Sequence, residues 1–181
     1  MNNDILKTLY DQKEIKQRCR ALGHRLAKEY RGKNPLVIGV LKGAVIFLTD
    51  VIRNMGIYMQ LDFIDVSSYD GGTQSTGHVT LKKDIDSDVR GRNVLFIEDI
   101  IDTGHTLYFL KNLLAKRGAK SIRICTLLDK PARRSVDIKP DYVGFRIPNE
   151  FIVGYGMDYQ GKYRNLPYIG ILKPQIYSNH N

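Results

Sequence analysis

Cysteine is scarce in this chain: Cys19 and Cys125 are the only two, and they form no CxxC pair. That excludes a disulfide framework and a zinc knuckle, and points to a reducing, cytoplasmic setting. Long apolar runs are missing as well. None approaches the roughly 20 residues that a membrane span needs, so no membrane partner is expected. The first residues, MNNDILKTLYDQKEIK, mix acids with bases and lack the apolar core of a secretory signal. Repeats, low-complexity tracts and linker-like stretches are absent, so residues 1–181 read as one domain. Two familiar phosphate motifs are missing too. Without GxxxxGK followed by Ser or Thr there is no Walker loop, and without GxGxxG there is no dinucleotide fingerprint.

What is present is the composition of a globular protein, 43% hydrophobic and 26% charged. The net charge of +9 is unevenly spread. Residues 1–40 hold nine Lys/Arg against four Asp/Glu, and residues 111–146 hold ten against three. A basic surface raises the question of nucleic acid. RNA binders usually add aromatic platforms or a known module, and none is visible. An acidic small substrate, or a merely solvated basic surface, is the better match.

Hydrophobic spacing predicts a helix over 11–30 through Ile15, Cys19, Leu22 and Leu26, ended near Arg31-Gly32. LVIGVL (Leu36–Leu41) is a wholly apolar run suited to a strand buried on both faces. A helix over 44–55, a strand over 58–66 and a polar, glycine-rich loop over 67–78 follow. A strand over 93–97 leads into a helix carrying Leu107, Leu110, Leu113 and Leu114, which stops at Gly118. Strands are expected at 121–128, near 142–145 and near 168–172. Such alternation means an α/β fold with a mostly parallel, twisted sheet flanked by helices. Ligands of these sheets bind where strands end and loops lead into helices.

One such place is VLFIEDIIDTGHTL, Val94–Leu107. An apolar strand is read as ending in Glu98 and Asp99; Asp102 follows, and a Thr-Gly-His-Thr turn opens a helix. The N–H groups of a helix start attract anions, and Gly104 lets the backbone come close to a ligand. Taken alone, Asp102 or Thr103 is an ordinary helix N-cap. That leaves Glu98 and Asp99 unexplained, because adjacent acids after a buried strand need a cation or donor hydroxyls. A sugar diol and Mg²⁺ would supply both.

The run FIEDIIDTGHT resembles the signature of the type I phosphoribosyltransferases: apolar residues, two acids, two apolar residues, then Asp-Ser/Thr-Gly-x-Thr. Leu41–Gly43 (LKG), Ser67–Tyr69 (SSY), Leu127–Pro131 (LLDKP) and Glu150–Gly170 are similar to segments of the 6-oxopurine branch, in family order. The resemblance covers roughly residues 36–170. It implies the type I phosphoribosyltransferase fold, with a small hood of N- and C-terminal segments over the base site and a flexible active-site loop.

The reaction it implies is transfer of the phosphoribosyl group from 5-phosphoribosyl diphosphate to N9 of hypoxanthine or guanine, in a homodimer or homotetramer. Glu98 and Asp99 would face the ribose hydroxyls, and with Asp158 hold Mg²⁺. Asp102, Thr103, Gly104, His105 and Thr106 would cradle the 5′-phosphate, with Asp102 as acid/base near purine N7. His105 departs from the small polar or basic residue expected there. Lys42, Gly43 and Arg164 would bind diphosphate, with a cis peptide before Lys42. Lys130 would donate to O6 and reject adenine. Phe151 would stack on the purine, Ile152 would offer its carbonyl, and Ser68 and Tyr69 would close as a lid. Two alternatives remain open: an RNA-binding regulator on the same fold, and an enzyme preferring xanthine. A retired enzyme has no need to keep Asp102, Lys130, Asp158 and Arg164 together, and all four are present.

Overall fold

The structure, a computed structural model, describes residues 1–68 and 79–178. Among the described residues the chain forms β1 (Ile5–Tyr10), α1 (Gln12–Tyr30), β2 (Leu36–Leu41), α2 (Val45–Arg53), β3 (Gln60–Ser68), β4 (Val79–Lys83) and β5 (Asn93–Ile101). There follow α3 (His105–Lys116), β6 (Ser121–Asp129), β7 (Tyr142–Arg146), β8 (Ile152–Val153), β9 (Ile169–Leu172) and a short α4 (Pro174–Ser178). Six strands make one sheet in the order β4-β3-β2-β5-β6-β7, parallel except for β4 at its edge. A second, antiparallel sheet has the order β1-β9-β8.

Two-residue periodicity sorts the large sheet's side chains. Val37, Leu95 and Ile97 turn to the face covered by Ile15, Cys19, Leu22 and Leu26 of α1 and by Phe47, Leu48 and Val51 of α2. Leu36, Ile38, Val40, Val94 and Phe96 turn to the opposite face, under Leu107, Leu110 and Leu114 of α3. This is why LVIGVL carries no polar residue. α1 starts where a capping box closes it: the Asp11 carboxylate accepts from Glu14 N, and the Glu14 carboxylate accepts from Asp11 N, both at 2.8 Å.

Two sequence readings need correction. The strand expected over 93–97 runs on to Ile101, so Glu98 and Asp99 lie within β5 and not beyond it. Its ladder with β6 continues from Glu98↔Thr126 to Ile101↔Asp129. Ladder hydrogen bonds use backbone groups alone, so two acidic side chains do not end the pairing. The strand expected from Tyr58 begins at Gln60, and Tyr58 is almost fully exposed. The mixed N-terminal segment, to which the sequence assigned no element, forms β1, which pairs with β9 at the other end of the chain.

Candidate active site

The carboxyl ends of β2, β5 and β6 lie side by side in the sheet, and the segment after β7 packs over them. Lys42-Gly43 follows β2, and the Leu41–Lys42 peptide is cis. Gly43 is buried against β5: a Cβ there would fall on the Asp99 carboxylate. Gly156, at φ +102°, meets the Gly43 carbonyl from the other side, where a Cβ would clash with it. Two glycines thus let three segments touch.

Glu98 is buried and Asp99 half-buried, with no Lys or Arg within ion-pair distance of either among the described residues. Their hydrogen bonds are local: Glu98 Oε1 accepts from Asp99 N at 3.1 Å, and Asp99 Oδ1 accepts from Ile100 N at 2.7 Å. Burial, and then the neighbouring Asp99 charge, push Glu98 well above the usual carboxylate range. Asp99 is also raised by burial, against hydrogen bonds and the positive Arg164 nearby. A site of this kind gains from any cation or hydroxyl donor that enters.

After β5 the chain turns into α3 at Gly104, φ +91°, where a Cβ would run into Ile138 and Arg134. Gly104 is the N-cap and no side chain caps the helix. The ordinary-cap reading of Asp102 or Thr103 is therefore wrong. His105 and Thr106 are the first two helical residues, so their N–H groups stand at the helix start. Asp102 Oδ1 is buried and, among the described residues, accepts no hydrogen bond. Arg133 Nε lies 3.2 Å from it, close enough to pair by charge but not aligned to donate.

The turn is held by residues that the sequence reading passed over. Arg134 Nε donates to the Asp102 carbonyl at 3.1 Å and its Nη1 to Ile138 O at 2.5 Å. Its Nη2 pairs with the buried Asp129 at 2.5 Å. Ser135 N donates to Thr103 O at 3.1 Å, and Ser135 Oγ lies 2.9 Å from His105 Nε2. The only sequence signal was a pair of arginines just past the Lys130-Pro131 strand end.

Lys130 is buried and its Nζ donates to Glu150 O at 2.9 Å. Burial lowers its pKa, although the Asp102 charge opposes the shift. A cavity of ≈ 440 Å³ opens beside it, lined among others by Asp99, Asp102, Phe151, Ile152 and Asp158. The Asp158 carboxylate accepts from Gly161 N at 2.7 Å and pairs with Arg164 at 2.6 Å. Arg164 Nη1 also donates to Gly156 O at 2.7 Å, which carries the arginine to the Gly43 contact. Behind Gly156, the Tyr155 hydroxyl donates to Asp50 of α2 at 2.5 Å, a buttress that the sequence did not reveal.

Asp102, Lys130, Phe151, Ile152 and Asp158 therefore line one cavity with Asp99, while Lys42, Gly43 and Arg164 lie along its neighbouring edge. Ser68 ends β3; the expectation for its lid partner Tyr69, like most of the 67–78 loop, falls outside the described residues.

An acid pair near the end of β5, a glycine turn into α3 and a buried lysine just past β6 thus stand together at the carboxyl edge of the sheet. The phosphoribosyl transferase domain model matches residues 6–160, and the chain belongs to the phosphoribosyltransferase family. The hypoxanthine-guanine phosphoribosyltransferase of Lactococcus lactis is 54% identical over 178 residues, 98% of this chain and 97% of that protein. The bifunctional protein TilS/HprT of Listeria monocytogenes is 57% identical over 98% of this chain. The chain spans only 28% of that relative's length. Among solved structures, a hypoxanthine phosphoribosyltransferase from Staphylococcus aureus superposes with a TM-score of 0.95 at 50% identity, over 99% of this chain and 97% of that one.

Proposed function

We propose that the chain transfers the 5-phosphoribosyl group from 5-phosphoribosyl diphosphate to N9 of hypoxanthine or guanine, giving the nucleotide and diphosphate. The observation that carries this reading is the shared cavity: Asp102, Lys130, Phe151 and Asp158 meet beside two acids, Glu98 and Asp99, that form no ion pair among the described residues. The small β1-β9-β8 sheet serves as the hood over the base.

The 5′-phosphate sits at the start of α3, held by helix N–H groups and the Thr103 and Thr106 hydroxyls. Ribose hydroxyls donate to Glu98 and Asp99, which answers their lack of partners. The C1–O bond breaks with its electron pair leaving on diphosphate, and N9 of the purine attacks the oxocarbenium-like carbon. Asp102, whose Oδ1 has no donor, takes the proton that the purine sheds at N7. Lys42, Gly43 and Arg164 receive the departing diphosphate, for which Arg164 must share or leave Asp158.

Lys130 uses one of its three N–H donors on Glu150 and keeps others for O6. An amino group at that position would meet a donor and no acceptor, so adenine is rejected. Ile152 presents its carbonyl to N1–H and a 2-amino group.

The acids fit Mg²⁺ in a particular way. No cluster of three metal-ligating side chains exists among the described residues. Glu98 and Asp99 on one side and Asp158 on the other each offer one or two carboxylates, which suits an ion carried mainly by substrate oxygens. When bound, it would neutralise charge on the leaving diphosphate. The fold family suggests self-association as a dimer or tetramer.

The test is a Mg²⁺-containing assay with 5-phosphoribosyl diphosphate against hypoxanthine, guanine, xanthine and adenine. Conversion of the first two with little of adenine is expected. A folded chain that converts none of the four refutes the reading.

A further inference from the structure

The base cavity has an aromatic wall two layers deep. The Tyr177 ring lies on the Phe151 ring with centroids 4.8 Å apart and planes at 22°, and Tyr159 meets the Phe151 edge at 5.3 Å and 88°. Phe151 and Tyr177 both line the ≈ 440 Å³ cavity, together with Lys130 and Asp158. Each ring is only partly buried. Tyr177 is therefore not a core residue that happens to lie nearby; it is part of the wall a ligand would meet.

The two rings come from the same end of the small sheet, where β8 starts and the antiparallel β9 stops. Phe151 immediately precedes β8, and Tyr177 follows β9 on α4. Leu172 N, at the end of β9, donates to the Phe151 carbonyl at 2.8 Å, so the backbones are tied before the rings stack. The next residue, Lys173, donates its N–H to Asp4 O at 2.9 Å beside β1, and Ile176 N donates back to Lys173 O at 2.9 Å. A helix of five residues cannot hold itself. Its place depends on these anchors and on the stack.

We propose that Tyr177 is a positioning residue for base recognition: stacked on one face of Phe151, it fixes that ring so the opposite face receives a flat heteroaromatic base. This inference rests on the purine reading given above. An unsupported phenylalanine at a cavity rim samples several rotamers, and a ligand that stacks on it must freeze them at a cost in affinity. Tyr177 removes that freedom beforehand, with the offset stacking that aromatic rings favour. The work is done by the ring and not by the hydroxyl.

The experiment is steady-state kinetics of the full chain for both substrates, with wild type, Tyr177→Phe and Tyr177→Ala, and a thermal melt of each. In Tyr177→Ala the KM for hypoxanthine should rise about 3- to 10-fold. The KM for 5-phosphoribosyl diphosphate should stay within about twofold. Tyr177→Phe should keep wild-type values for both. An unchanged hypoxanthine KM in Tyr177→Ala overturns the inference, and so does a lowered one, which would mean that Tyr177 stands where the base belongs. Equal rises for both substrates point to a general defect and overturn it too. A wild type that converts no purine sinks the underlying function, and this inference with it.

Discussion

Two buried acidic sites lie on the same sheet, on the strands either side of β2, and they are built in opposite ways. On β3, Asp62 is 7% exposed, the same as Glu98 on β5. Asp62 Oδ2 accepts from Asp86 N at 3.0 Å and Ser87 N at 2.9 Å, and Oδ1 accepts from Phe63 N at 2.7 Å. Burial works against its charge, but the Ser87 side chain first, and then these backbone donors, outweigh it and hold its pKa below the usual carboxylate range. Among the described residues the hydrogen-bond donors of Glu98 and Asp99 are backbone groups next to them in sequence, and their pKa values rise. Opposite shifts, from many donors at Asp62 and from deeper desolvation with few donors at Glu98 and Asp99, separate an acid that holds the fold from acids suited to a ligand.

The sharpest way to break this contrast is through Asp102. Replacing it by Asn should lower kcat by about 10²- to 10⁴-fold while moving stability by no more than about 0.5 kcal/mol. Rate and melting measured on one preparation decide it; a variant that fails to fold would move Asp102 to the structural side.

Arg134→Ala should do the reverse and act on folding first. It strands Asp129, which is buried, without its partner, so a loss of about 3–5 kcal/mol is expected in denaturant unfolding. A near-normal midpoint would show that the clamp on the 102–106 turn is dispensable.

Asp62→Asn should cost about 1–3 kcal/mol and carry a pH signature. The folded pKa of Asp62 lies below its unfolded value of about 3.9, so its contribution is fully present above that value. It is lost as pH falls through the folded pKa. The wild type should therefore shed stability faster than Asp62→Asn as the solution is acidified, and parallel curves would contradict this. The smallest effect belongs to Glu98→Gln. Because burial disfavours charge on Glu98, the ligand-free variant should melt no lower than the wild type near pH 7.5, while turnover falls. A clear drop in melting would show that Glu98, like Asp62, is structural.

How much of this was legible in the sequence follows from how local each feature is. LVIGVL, the apolar stripe of α1 and the leucine stripe of α3 could be read because their patterns lie within one element. The acid pair and the glycine turn were visible for the same reason. β1 was not, since a strand in a small two-ended sheet has a polar face and a partner more than 150 residues away. Arg134, Ser135 and Gly156 act across loops, and nothing in their own neighbourhoods marks them. The true end of β5 was hidden because side-chain polarity says little about backbone pairing. Most of the 67–78 loop lies outside the described residues, so its reading stays a sequence expectation.

The most direct test of the contrast is binding of 5-phosphoribosyl diphosphate with Mg²⁺, measured by titration calorimetry on the wild type, Asp62→Asn, and Glu98→Gln combined with Asp99→Asn. The account predicts tight binding to the first two and a large loss in the third, with all three folded at the temperature used. Equal affinity for all three would contradict it, because the uncompensated acids of β5 would then have no part in holding the substrate.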